Sequence, residues 1–268
     1  MRRVIPYTLP WDDAPVDISF VFEGEKPAGR HGFLQARDGG FVFEDGTAAR
    51  FWGTNFNSAA CFPKHSYSKT VARRLSKFGV NIVRFHQMDA EWSTPNIFQF
   101  TKGRRLDDTQ SLDPTSLDRL DYLIHCLKQE GIYVYMDLLT YRIFKTGDNV
   151  DEAEKLGQEA RPYSNFDPRL IELQKMFATQ LWTHVNPYTK LAYKDDPVIE
   201  STGSALHNKQ RNLRGQPFTI NNASHRFELH RALRSNLFFH ATFIFASTSL
   251  TCWRNRRSLA NFFGKRLS

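Results

Sequence analysis

Arg84, His86, Asp89 and Trp92 fall in one short stretch, GVNIVRFHQMDAEW, residues 79–92. A permanent cation, an imidazole, a carboxylate and an aromatic ring thus stand together, a cluster of groups able to do chemistry. They follow directly on an apolar run in which Val80, Ile82 and Val83 read as a buried strand. In (β/α)8 barrels the parallel strands are apolar throughout, and the loops leaving their C-terminal ends carry the working groups. The stretch is therefore read as a strand tip at the mouth of such a barrel.

The surrounding sequence supplies elements that could position that tip. Val71, Leu75 and Phe78 fall at helical spacing and Gly79 suits a helix C-terminus. Asp113-Pro114 offers an N-cap and a first-turn proline, followed by Leu117, Leu120, Ile124 and Leu127 on one face. Gly131 closes that helix and IYVYMDLL is the next strand. A third unit opens at Asp167-Pro168, carries Leu170, Leu173, Phe177, Leu181 and Val185 on one face, and reaches KDDPVIE, the approach to a fourth strand. Upstream, DISFVFE, HGFLQAR and FVFE read as short β runs separated by Asp38-Gly39-Gly40 and Asp45-Gly46 turns, leading into ARFWGTNF as the first barrel strand.

Repeated β-α order predicts a parallel sheet. The expected fold is α/β, a partial (β/α)8 TIM barrel over residues 49–200, preceded by a small antiparallel β segment over 1–48 and followed by an atypical tail, 201–268. An open doubly wound sheet is the competitor, but no GxGxxG or GxxxxGK[ST] follows the first strand, and no cofactor is expected. A full barrel takes about 250 residues, whereas ~150 separate Arg50 from Glu200.

The chain changes character after Glu200. Lys and Arg number 36 and Asp and Glu 28; residues 1–200 hold 25 and 27, a net of −2, and residues 201–268 hold 11 and 1, a net of +10. The overall basicity therefore belongs to the tail and gives the barrel section no nucleic-acid character. Cys61, Cys126 and Cys252 form no CxxC pair, so free thiols are expected rather than disulfides or a zinc site. No apolar stretch of signal-peptide length precedes Pro10, and the expectation is a cytoplasmic protein.

The segments FEDGTAARFWGTNF, LSKFGVNIVRFHQMD, LDRLDYLIHCLKQEGIYVYMDLLTYR and LWTHVNPYTKLAYKDDPVIE resemble the N-terminal half of clan A glycoside hydrolases, of the cellulase-like, family 5 type. The resemblance covers roughly residues 17–200 and implies a retaining β-glycosidase lineage with an oligo- or polysaccharide substrate. By that resemblance Arg84 corresponds to the strand-two arginine that steadies the nucleophile. His86 and Asp89 would hydrogen-bond sugar hydroxyls, Trp92 would stack on a pyranose face, and Asn55, Asp137, Tyr141 and Arg142 would line the openings of the first and third strands. Leu139 stands where many family members have a histidine, a departure from standard cellulases.

The same resemblance calls for an Asn-Glu acid/base about ten residues after Pro197 and a later strand-end glutamate, the two carboxyl groups being about 5–5.5 Å apart. STGSALHNKQ follows Glu200 instead, Asn208 is followed by Lys209, and Glu228 is the last carboxylate. The catalytic residues are thus unassigned, and the chain is expected to be an impaired, truncated product with an out-of-frame tail. Rival readings keep the tail genuine. It would then contact nucleic acid through its Arg and Lys, or a membrane through LFFHATFIFASTSLTCW, 237–253, though neither a specific nucleic acid nor a membrane is the expected partner. The long 141–166 connection is read as a lid over the sugar site or as a plain insertion.

Overall fold

The structure, a computed structural model, describes residues 17–200 except 38–39, 99, 102–103, 106, 139, 158–159 and 165. The expectations for 201–268, including Asn208, Glu228 and the 237–253 stretch, lie outside the described residues.

A four-stranded parallel sheet forms the centre: β3 (Gly53–Asn57), β4 (Ile82–His86), β7 (Tyr133–Met136) and β8 (Ile199–Glu200), adjacent in that order. Parallel strands following one another without a reversal match a barrel segment; a doubly wound sheet would reverse at a switch point. Two antiparallel pairs stand apart, β1 (Leu34–Arg37) with β2 (Gly40–Phe43) and β5 (Phe100–Thr101) with β6 (Arg104–Arg105).

The helices between the parallel strands arise where the sequence signals them. α1 (His65–Lys77) is capped by Phe78 and followed by Gly79, whose φ of +76° is the left-handed conformation that glycine adopts without strain. α2 (Pro114–Gln129) starts on Asp113, whose carboxylate accepts the Ser116 N–H at 2.7 Å. α5 (Pro168–Thr183) repeats the device with Asp167 and Leu170 N–H at 2.8 Å. Between β7 and α5 lie two one-turn helices, α3 (Ala153–Leu156) and α4 (Ala160–Tyr163).

Residues paired across parallel strands share a face of the sheet, and successive residues alternate. Val83, Phe85, Val134 and Met136 occupy one face and are buried in the main core together with Leu120, Ile124 and Leu127 of α2. The other face presents Ile82 beside Tyr133, Arg84 beside Tyr135, and then His86. Its floor is aromatic: Phe43 stacks on Tyr133 at 5.2 Å and Phe51 meets it edge-on at 5.5 Å.

Two expectations are corrected. DISFVFE is a 3-10 helix over Ser19–Glu25, because Asp17 accepts the Ser19 N–H and hydroxyl, and the segment sits across helix ends, with Ile18 N–H bonded to Lys77 O and Ala28 N–H to Lys128 O. Val185 leaves the apolar face of α5, since the helix stops at Thr183 and Val185 is exposed.

Candidate functional site

The strand register brings the expected residues into rows. Asn55 on β3 lies opposite Arg84 on β4, which lies opposite Tyr135 on β7. One step towards the C-terminal ends, Asn57 lies opposite His86. The Asp137 N–H bonds to Phe85 O at 3.2 Å, so the ladder runs on past Met136 and carries Asp137 to the level of His86.

Asp137 is the centre of this cluster. Its Oδ2 accepts from Arg84 Nε at 3.0 Å and Nη2 at 2.8 Å, and lies 2.5 Å from His86 Nδ1. A carboxylate held by a guanidinium fork and an imidazole fixes both in orientation. It also holds the His86 ring by Nδ1, so that Nε2 is the nitrogen left for a ligand. The Arg84 side chain keeps 30% of its surface exposed, so the cation is accessible although paired. Asn55 Oδ1 is shielded from solvent and has no partner among the described residues.

An aromatic wall adjoins the cluster. Tyr141 meets His86 edge-on at 6.3 Å and Trp92 edge-on at 4.8 Å. Trp92 is 54% exposed, a large apolar ring left facing water beside polar groups.

Asp89 and Arg142 are not at the opening. Asp89 is buried, and its two oxygens accept from Thr140 N–H, Thr140 hydroxyl, Tyr141 N–H and Arg142 N–H. Its role is to gather the loop after β7 under the loop after β4. Arg142 is buried as well, donating to Thr109 Oγ1 and O, each at 2.8 Å, and to Leu173 O at 3.0 Å, among the rings of Phe98, Phe144 and Phe177. Burial lowers its pKa to about 10, so it remains a cation at neutral pH. Both side chains are thus engaged in holding Tyr141 and the segment that follows it.

That segment is packed. Phe144 and Ala160 form a small core with Leu170 and Leu173 of α5, and Val150 and Leu156 close over it. Asp148, fully buried, accepts from Thr109 N–H, Thr109 hydroxyl and Lys145 N–H. Lys145 also reaches Glu91 at 3.6 Å, next to Trp92. Sequence reading missed Thr109, Thr140 and Asp148, whose significance depends on contacts between distant loops. No group of three or more His, Cys, Asp or Glu able to hold a metal occurs among the described residues, nor any helix long and apolar enough to cross a membrane.

Several solved glycoside hydrolase structures match this chain. An endo-1,4-beta-mannanase from Rhizomucor miehei is 20% identical, with 62% of this chain and 46% of that chain covered at a TM-score of 0.48. A glycoside hydrolase family 5 mannosidase from Rhizomucor miehei is 16% identical, with 63% and 47% covered at 0.47. The endo-beta-1,4-mannanase from Thermotoga petrophila is 23% identical, with 56% and 33% covered at 0.39. The chain thus spans less than half the length of each. No family model and no curated protein matches it.

Proposed function

We propose that this chain carries the sugar-binding half of a retaining β-glycosidase-type barrel, takes a β-linked oligo- or polysaccharide at the C-terminal ends of its strands, and lacks turnover of its own. The observation that carries the reading is Asp137 clamping Arg84 and His86 on adjacent strand ends, with Tyr141 and the exposed ring of Trp92 alongside. Sugars present hydroxyls to hydrogen-bond and an apolar ring face to stack, and this arrangement answers both.

The surroundings of two strand-end carboxylates support the absence of turnover. Retaining hydrolysis needs one protonated and one ionised carboxyl group about 5–5.5 Å apart. Asp89 is enclosed by four donors, and Asp137 is held between a guanidinium and an imidazole. The latter suits orienting hydroxyls better than protonating a leaving group.

The test pairs aryl β-glycoside hydrolysis with calorimetric titration by β-1,4-linked gluco- and manno-oligosaccharides. Binding without hydrolysis supports the proposal. Hydrolysis by the wild-type protein overturns the absence of turnover, its persistence in Glu200→Gln and Glu228→Gln variants assigns it to other carboxylates, and no binding by wild-type protein overturns the sugar site.

A further inference from the structure

Ser58 follows the tip of β3 and Gln87 the tip of β4, and both have left-handed backbone, with φ of 52° and 59°. A non-glycine residue is disfavoured there, whereas glycine adopts the conformation freely. The Gln87 carbonyl accepts the Ala90 N–H at 3.2 Å, opening the turn that leads to Asp89. That turn uses backbone atoms alone, so glycine would serve it better. A non-glycine residue held at such a position points to a use for its side chain.

The two side chains meet. Ser58 Oγ donates to Gln87 Oε1 at 3.2 Å, and the Gln87 amide nitrogen has no partner among the described residues. Both residues are half-buried, and in register next to them stand exposed Asn57 and half-buried His86. Cys61 anchors the pair from below, its thiol 3.4 Å from Phe56 O and 3.7 Å from His86 O, so one side chain bridges the two strand tips. Burial pushes the Cys61 pKa up, which keeps the thiol protonated as a donor.

We infer that Ser58 and Gln87 form a hydroxyl-recognition rim for the sugar ring bound beside His86, an inference that rests on the glycan-binding reading above. The pair offers an amide donor and a hydroxyl side by side, chemistry that suits the adjacent hydroxyls of an unsubstituted pyranose. The strained backbone holds those groups at the rim before a ligand arrives.

The experiment compares wild-type protein with Gln87→Gly and Ser58→Gly by thermal melting and by calorimetric titration with cellohexaose and mannohexaose. Gln87→Gly is expected to raise the Tm by roughly 2–4 °C, because strain is removed, and to weaken the better-bound oligosaccharide by about five-fold through a lost hydrogen bond. Ser58→Gly is expected to show the same two signs. A raised Tm with unchanged affinity overturns the rim, as does a lowered Tm, which would mark the side chains as structural. If the wild type binds neither oligosaccharide, the glycan reading fails and the rim with it; if the wild type binds and only the variants are indifferent, the rim alone fails.

Discussion

Asp89 and Thr140, 51 positions apart in the chain, are joined twice: Asp89 Oδ2 accepts the Thr140 N–H at 2.8 Å and Oδ1 accepts its hydroxyl at 2.5 Å. The same carboxylate takes the next two backbone N–H groups, of Tyr141 and Arg142. One buried anion therefore sets the path along which Tyr141 reaches Trp92 and His86.

Asp89→Asn is expected to lower stability by about 2–3 kcal/mol, because an amide offers one acceptor oxygen to donors that now meet two, and turns its own NH2 towards them. Urea unfolding measures this. A midpoint unchanged from wild type would show that the loop is held by other contacts.

Arg142→Ala is expected to remove about 3 kcal/mol or more, since it empties a space between three aromatic rings and strands the Thr109 and Leu173 carbonyls. Arg142→Lys should recover little, because a single ammonium cannot reproduce the planar fork that reaches both carbonyls and the Thr109 hydroxyl. Hydrogen exchange should show the loss first in the 143–164 segment; uniform loss across the chain would contradict a local clamp.

The hairpin turn at Asp45 should be acid-sensitive. The Thr47 N–H, and after it His31, hold the Asp45 carboxyl down at about 2. The unfolded value is about 4, so this contribution is present above about pH 4 and is lost as pH falls from there to about 2. Asp45→Asn should flatten that part of the stability profile without changing its direction elsewhere. Melting curves at pH 5 and pH 2.5 that fall equally for variant and wild type would remove Asp45 from the explanation.

Asp113→Ala and Asp167→Ala should each cost about 1 kcal/mol, the usual worth of an aspartate N-cap. Denaturant midpoints measure it. A negligible effect at either site would mean that the following proline, already preset for the first helical turn, supplies the start by itself.

Local signals were legible wherever they act over a few residues. Asp113-Pro114, Gly79, Gly131 and Asp167-Pro168 marked helix ends, because capping and left-handed turns depend on neighbouring backbone groups. The buried run ahead of Arg84 marked β4 because a parallel strand is apolar on both faces. DISFVFE misled, since its β-type composition was overridden by docking across the ends of α1 and α2.

Within the site, residue types were readable and roles were not. Asp89 and Asp137 are both acids just past a strand end, and only the register and the loop contacts separate them. Asp137 is level with His86 and faces Arg84, whereas Asp89 is drawn under the backbone of the β7 loop. The sequence by itself determined where strands end and which polar groups gather at those ends. Tertiary structure decided which of those groups face the opening and which are spent inside, because a carboxylate's role depends on the donors that reach it, and those donors come from segments distant in the chain.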